Sequence, residues 1–245
     1  MSNINLFKDS MFSRAFDVFS RTAQDNYAIG VSVNIYNNQI VSKKIYFEFK
    51  QLPSEETVNY FLPTLRDYQE YIDQWDKLTE SSLCLGLKKF TDKTDYTNYL
   101  HIKFKVNPDV DGPKVNRLLF MSKQTGISVE YTGNEVKRRK YFYFRHPIEK
   151  ELFRKRFNLS ADVSHFEYTE FDDTYKIINV YNGRDKQVTD FLISKNIETI
   201  NSIIRDFQLY HNISPCFYGE YENSIIGIYW SFTGKRDEFK NLVST

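Results

Sequence analysis

One pattern limits the folds open to this chain: short segments in which every second residue is apolar recur in pairs along it. In the segment VSKKIYFEFK (residues 41–50), Ile and Phe alternate with Lys, Tyr and Glu. Neighbouring side chains of a strand lie on opposite faces of its sheet. The pattern therefore predicts a strand with one apolar face and one face that carries charges and hydroxyls.

Pairs of such segments, joined by polar turns, predict five hairpins along the chain. Their predicted bounds are residues 27–50, 82–106, 126–145, 163–182 and 214–233. Apolar residues at helical spacing predict amphipathic helices between them, at residues 8–24, 53–75, 114–123, 147–157 and 187–210. Residues 235–245 are predicted to form a polar tail.

The alternation of hairpins and helices predicts how the sheet is covered. Amphipathic helices must bury their apolar stripes against one sheet face, so the face rich in Lys, Arg and Tyr points away from them. In an open sheet this face would be solvated, whereas ten strands closed into a barrel would enclose a ligand-sized lumen and leave no exposed edge. We predict an α+β fold, a ten-stranded antiparallel barrel surrounded by helices, as a single domain over residues 1–245.

Composition and motifs exclude several functional classes. A formal net charge of +1 provides no broad field for nucleic acid, which disfavours a nucleic-acid role for the basic run at 137–140. Two cysteines give neither a disulfide framework nor metal-ligand spacing. The sequence lacks phosphate-binding loops, a G-x-S-x-G motif, a signal peptide and any stretch long enough for a membrane helix. We expect a cytoplasmic protein without nucleic-acid or membrane partners.

The polar strand faces provide the candidate site. By strand parity, the residues expected to line a lumen are Lys44, Tyr46, Lys103, Lys105, Arg139, Tyr141, Tyr143, Asn179, Tyr181 and Tyr229, with Glu130, Glu167 and Glu220 as acids that share it. Lys and Arg hydrogen-bond phosphate oxygens, Tyr rings attract cations, and an acid among bases can orient a nucleophile or take a proton. Such a lining suits a ligand with an anionic head and an apolar or cationic tail. For any single Lys or Arg, the alternative is a solvated strand residue. His101 has the parity to face the lumen, but it is interpreted as a surface or hydrogen-bonded histidine.

This arrangement resembles the ABBA-type (PT-barrel) aromatic and peptide prenyltransferases, in which helix–strand–strand–helix units close a ten-stranded antiparallel barrel. The segment Lys44-Ile45-Tyr46 matches the family's Lys-x-Tyr pairs, and Asn179-Val180-Tyr181 is similar to its polar-x-Tyr strands. Looser matches are Lys103-Phe104-Lys105 and Arg139-Lys140-Tyr141. The aspartate-rich motif of other prenyl-transfer folds is missing, and the chain is shorter than family members usually are.

The resemblance implies transfer of a short isoprenoid, dimethylallyl or geranyl, from its diphosphate to an aromatic small molecule or a peptide side chain. It implies diphosphate binding by Lys44, Lys103, Lys105, Arg139 and Asn179, and cation shielding by Tyr46, Tyr141, Tyr143, Tyr181 and Tyr229. The catalytic candidates are Glu130, Glu167 and Glu220. Dependence on Mg²⁺ varies among such enzymes, and the sequence leaves it open. The alternative is a non-catalytic β-rich ligand-binding or interaction protein.

Overall fold

The computed structural model describes residues 5–22, 27–62, 82–105, 124–133, 135–158, 165–171, 174–182, 189, 192–194, 197–221 and 224–245. In chain order the elements are α1 (Ser10–Thr22), β1 (Tyr27–Tyr36), β2 (Gln39–Phe49), α2 (Glu55–Phe61), β3 (Ser82–Phe90), β4 (Tyr96–Lys105), β5 (Gln124–Thr132), β6 (Glu135–Phe144), α3 (Pro147–Phe157), β7 (His165–Phe171), β8 (Thr174–Asn182), α4 (Glu198–His211), β9 (Phe217–Tyr221), β10 (Ile226–Ser231) and α5 (Arg236–Val243).

The strands form a closed antiparallel barrel. Each strand pairs with its neighbours in sequence, and β1 pairs with β10 to complete the ring. That last pairing runs from Gly30 opposite Ser231 to Ile35 opposite Ile226. The predicted fold, a ten-stranded antiparallel barrel built from five hairpins with helices outside, is confirmed.

The hydrophobic core lies between the outer face of the barrel and the helices. Three helices each lay an aromatic ring flat against an outward-facing strand residue. Phe19 of α1 stacks on Phe47 with ring centroids 4.4 Å apart, Phe153 of α3 stacks on Phe144 at 4.2 Å, and Phe207 of α4 stacks on Trp230 at 4.4 Å. Each pair adds about 0.5–1.5 kcal/mol beyond the burial of its area. The apolar strand faces therefore position the helices.

The described helices agree with the predicted ones where the two overlap. Helix α3 begins at Pro147, which suits a first-turn position because its missing N–H needs no partner there. Helix α2 begins after Ser54, whose hydroxyl accepts a hydrogen bond from the Thr57 N–H. The rest of the helix predicted at 53–75 and the helix predicted at 114–123 lie outside the described residues. None of the described helices has the length and apolar character needed to cross a bilayer.

The predicted polar tail is wrong, because residues 236–243 form helix α5. Its apolar residues, Phe239, Leu242 and Val243, are buried and share one helical face. The Phe239 ring lies 5.3 Å from that of Phe16 in α1 and 5.5 Å from that of Phe232. Three apolar residues among charged ones are too weak a pattern to predict a helix from the sequence. Packing against the rest of the protein stabilises α5.

A buried carboxylate fixes the N-terminal end of α1 to the outside of the barrel. Asp9 accepts hydrogen bonds from the Tyr96 hydroxyl (2.5 Å), the Met11 N–H (3.0 Å) and the Lys89 ammonium (3.3 Å). Lys43, Lys89 and Tyr96 are register partners on adjacent strands. Burial alone would raise the pKa of Asp9, but these hydrogen bonds outweigh it and lower the pKa below 3.8.

We predict that Asp9→Asn lowers the free energy of unfolding at pH 7 by about 1.5–3 kcal/mol, since it removes charge-assisted hydrogen bonds. The pKa of Asp9 is depressed in the folded state, so its contribution is present above pH 3.8 and is lost as the pH falls through the folded pKa. Urea unfolding at pH 7 and at low pH checks both statements, with Asp17→Asn on the exposed side of α1 as the control. A difference between Asp9→Asn and the wild type that stays constant down to low pH would contradict them.

Candidate functional site

The charged strand faces enclose a cavity of about 420 Å³ inside the barrel. This volume lies in the range of small-molecule sites. Most of the predicted site residues line it: Lys44, Tyr46, Lys103, Glu130, Arg139, Tyr141, Tyr143, Glu167 and Tyr229. The barrel brings these side chains together from β2, β4, β5, β6, β7 and β10 because inward positions alternate with the apolar positions that face the helices.

Strand β8 lines the cavity at positions other than those predicted. Strand β8 lines the cavity with Ile178 and Val180, which leaves Asn179 and Tyr181 at the alternate positions. Glu220 is the register partner of Asn179 on one side and of Ile226, a residue of the outer core, on the other. The side chains of Asn179, Tyr181 and Glu220 lie outside what the structure describes, so their roles stay predictions. Strand β8 misleads because it carries Ile at both parities.

Lys105 is the last residue of β4 and has the same parity as Lys103. Its side chain lies outside what the structure describes. Its role in diphosphate binding therefore stays a prediction.

Lys44 lies inside the lumen within a cage of phenol rings. Its ammonium is 4.3 Å from the ring centroid of Tyr99, 5.5 Å from that of Tyr46 and 5.6 Å from that of Tyr229. Burial, with smaller contributions from neighbouring charges, lowers the pKa of Lys44 to about 8. Among the residues that the structure describes, no carboxylate lies within ion-pair distance of this ammonium. Lys44 is thus a cation that the π faces of the cage stabilise at close range and that the charge of Glu130 stabilises from further away.

Glu130 lies between two cations at another part of the lumen. Its Oε1 is 2.9 Å from an Arg139 guanidinium nitrogen and 3.6 Å from the Lys88 ammonium. Burial by itself raises the pKa of Glu130, but the positive charges of Lys88 and Arg139 outweigh this effect and lower the pKa to about 2. An acid this strong accepts a proton poorly at neutral pH. The geometry favours a role for Glu130 in positioning the two cations.

A second, looser ion pair joins β2 and β4. The Lys103 ammonium lies 4.0 Å from the Glu48 carboxylate, which also accepts a 2.7 Å hydrogen bond from the Ser82 hydroxyl. A pair at this distance leaves the ammonium able to turn toward an anionic ligand.

Tyr46 needs the glycine opposite it on β1. A Cβ atom at Gly30 would lie 2.2 Å from the Tyr46 hydroxyl oxygen and 2.7 Å from the Trp230 carbonyl oxygen. Only a residue without a side chain lets the phenol lie across the neighbouring strand. Gly30 therefore fixes the orientation of one wall of the cage.

The lining residues that were not among the predicted site residues include Glu48, Lys88, Tyr99 and His101. Glu48 and Tyr99 have the parity of the predicted residues on β2 and β4, and Lys88 lies on the polar face of β3, so a complete count of inward positions would have found all three. His101 is buried, with 6% of its surface exposed, and both ring nitrogens are hydrogen-bonded to tyrosines. Strand parity could place His101 in the lumen but could not show those partners.

The described residues do not fit a protein-bound metal ion. No three His, Cys, Asp or Glu side chains among them converge in a way that could hold one, and Glu130 is already engaged by Arg139 and Lys88. Mg²⁺ usually keeps several waters and is bound through one or two carboxylates together with substrate phosphates.

Comparison with known proteins does not assign this chain to a family. No protein-family model matches the chain, and no curated protein matches it. Among solved structures it is similar to the crystal structure of AnaPT from Neosartorya fischeri, with a TM-score of 0.47 and 10% sequence identity. That match covers 84% of this chain and 77% of the other. The residues of the lumen must therefore support the functional interpretation by themselves.

We predict that Glu130→Gln destabilises the fold strongly, by about 3–5 kcal/mol, because it leaves two partly buried cations without their shared carboxylate. Urea unfolding measures the change. Glu151→Gln is the matched control, since the ion pairs of Glu151 with Arg154 and Lys155 lie on the surface of α3 and contribute little. Equal losses in the two variants would show that the lumen ion pairs are solvated like surface ones.

We predict that Lys44→Met raises the melting temperature at pH 7. The pKa of Lys44 falls from 10.5 to about 8 on folding, so the unfolded chain binds more protons between these values and stability rises with pH there. The gain from Lys44→Met should be full below pH 8 and should disappear as the pH approaches 10.5. Calorimetry across this range tests it, with the exposed Lys140→Met as the control. A loss of stability at pH 7 would contradict the prediction.

Proposed function

We propose that the lumen binds an isoprenoid diphosphate and transfers its short prenyl group, dimethylallyl or geranyl, to an aromatic molecule or a peptide side chain. The barrel of residues 1–245 acts as one domain with the lumen as its site. The observation that carries the proposal is Lys44, a cation without a carboxylate partner among the described residues, held by three phenol rings in a ligand-sized cavity.

The balance of charge in the lumen favours an anionic ligand. Its described lining carries more cations than carboxylates: Lys44, Lys88, Lys103 and Arg139 against Glu48, Glu130 and Glu167. A diphosphate can approach Lys44 without displacing an existing ion pair, and Lys103 and Arg139 can add charge-assisted hydrogen bonds. The prediction that Lys44, Lys103 and Arg139 bind the diphosphate is kept in this proposal.

Prenyl transfer needs two further properties that the lumen offers. As the allylic C–O bond breaks, its electron pair leaves with the diphosphate, and fixed cations stabilise the developing charge. The allylic cation that remains is stabilised by π faces, here those of Tyr46, Tyr141, Tyr143 and Tyr229. The closed barrel wall limits the access of water, which would otherwise capture the cation.

The role of the acids follows from their surroundings. Glu130 holds Arg139 and Lys88, so the proposal gives it a positioning role. Glu167 lines the cavity at the register position opposite Tyr143 and remains the candidate carboxylate for interaction with the acceptor.

Binding of dimethylallyl thiolodiphosphate, an analogue that resists ionisation, tests the proposal. We predict binding that Lys44→Ala weakens by roughly tenfold to a hundredfold, the value of one charge-assisted hydrogen bond. Lys103→Ala should weaken it less, since Lys103 is paired with Glu48. Lys140, the outward neighbour of Arg139, provides the control variant Lys140→Ala. Calorimetric titration at pH 7 measures the affinities.

The pH dependence of this binding is a second readout. A bound diphosphate raises the pKa of Lys44 above its free value of about 8, so affinity should fall as the pH rises from 8 to 10. Lys44→Arg stays charged throughout this range and should bind without that slope. Tight binding of the analogue without prenyl transfer to indoles, phenols or peptides would favour the alternative, a non-catalytic binding protein. Failure to bind would contradict the proposed function.

A further inference from the structure

A chain of hydrogen bonds runs along the lumen wall from one tyrosine to another through an imidazole. The Tyr99 hydroxyl is 2.6 Å from His101 Nδ1, and the Tyr143 hydroxyl is 2.7 Å from His101 Nε2. All three side chains are buried. Neither anion binding nor cation shielding requires this linkage.

The imidazole in this chain is neutral. Burial lowers the pKa of His101 well below 6.5, and the nearby cations Lys103 and Lys44 lower it further. A neutral imidazole has one N–H and one lone pair. One tyrosine therefore donates to His101 and the other accepts from it, so the chain has a direction that reverses when the tautomer changes.

The two ends of the chain lie in different surroundings. The ring of Tyr99 lies 4.3 Å from the Lys44 ammonium, so this end adjoins the proposed diphosphate subsite. At the other end, Tyr143 and its stacked neighbour Tyr141 are register partners of Glu167 and Thr169. The Thr169 hydroxyl is buried and, among the described residues, has no hydrogen-bond partner. A buried polar group without a partner calls for an explanation, and Thr169 is one of the residues that line the lumen at this end.

The backbone makes room for the chain. A Cβ atom at Gly126 would lie 2.6 Å from His101 Nε2 and 3.1 Å from the Tyr143 hydroxyl oxygen. Any other residue would press against the hydrogen bond between them. Gly126 therefore permits the contact between His101 and Tyr143.

We propose that Tyr143, His101 and Tyr99 form a proton relay, which takes a proton from the acceptor at the Tyr143 end and delivers one to the departing diphosphate at the Tyr99 end. This inference rests on the proposed function. It also assigns the two substrates to opposite ends of the hydrogen-bonded chain.

The step balances in atoms and electrons. The allylic C–O bond breaks with its electron pair on the diphosphate, and the acceptor forms the new bond to the allylic carbon. The acceptor's proton moves to the Tyr143 oxygen, and the Tyr143 hydroxyl proton moves to Nε2. The Nδ1 proton moves to the Tyr99 oxygen, and the Tyr99 hydroxyl proton moves to a diphosphate oxygen. His101 ends neutral in the other tautomer, and exchange with water restores the first after the products leave.

The direct test is ¹⁵N NMR of histidine-labelled protein at pH 7, with inorganic diphosphate as the probe. We expect His101 to be neutral, and diphosphate to increase its Nδ1–H tautomer, because Tyr99 then donates to the anion and accepts from Nδ1. Tyr99→Phe should remove this response while diphosphate still binds through Lys44. Tyr210→Phe, the same change at an exposed position on α4, should leave the response intact.

Two outcomes overturn the relay by itself: a charged His101, or bound diphosphate that leaves the tautomer of His101 unchanged. Absence of diphosphate binding instead contradicts the proposed function, so the two failures can be told apart. A kinetic readout follows from the same idea. His101→Gln, whose amide cannot relay a proton by changing tautomer, should slow turnover of dimethylallyl diphosphate at least tenfold, with its affinity for inorganic diphosphate changed less than about twofold. An equal loss of affinity and turnover would indicate a merely structural role.

Gly126→Ala tests the same relay by steric means, since it removes no functional group. Its methyl group should push His101 and Tyr143 apart, so diphosphate should no longer shift the tautomer of His101, and turnover should fall as in His101→Gln. The melting temperature, measured in parallel, reports any strain against the neighbouring backbone. A folded Gly126→Ala protein with wild-type tautomer response and turnover would overturn the relay.

Discussion

The pairing of β1 with β10 is the constraint on which the rest of the structure depends. It converts five hairpins into a ring and gives each strand face a fixed environment. The outer positions pack against helices through stacked rings such as Phe19 on Phe47 and Phe207 on Trp230. The inner positions, which an open sheet would expose to bulk water, face one another across a cavity. A single alternation of side chains thus builds both the core and the candidate site.

Some charged groups in the lumen stabilise the fold, and one, Lys44, destabilises it. The carboxylate of Glu130 forms ion pairs with Arg139 and Lys88, so these charges compensate one another. Among the described residues no carboxylate lies at ion-pair distance from Lys44, which contacts the π faces of Tyr46, Tyr99 and Tyr229. Its lowered pKa reflects the cost of keeping an ammonium there. An anionic ligand offsets that cost by supplying the missing charge. A destabilising group held in place by its surroundings is typical of a binding or catalytic site.

Much of the fold was predictable from the sequence because the hairpins keep their alternation over many residues. In β2, apolar side chains at every second position identified the inward residues Lys44 and Tyr46 without knowledge of the partner strands. In β8, Ile177 and Ile178 give both faces an aliphatic residue, so the sequence does not show which face lines the cavity. Helix α5 was not predicted, because its three apolar residues are too few to indicate a helix without their packing on α1 and the barrel. The hydrogen bond between His101 and Tyr143 joins strands 42 residues apart in sequence, and no local pattern encodes it.

A crystal structure with dimethylallyl thiolodiphosphate tests the central claim most directly. The account predicts density for the diphosphate inside the barrel, with an oxygen within hydrogen-bond distance of the Lys44 ammonium and the allylic chain against the surrounding phenol rings. Diphosphate density confined to the outer surface of the barrel, with the Lys44 ammonium still enclosed by its three tyrosines, would contradict it.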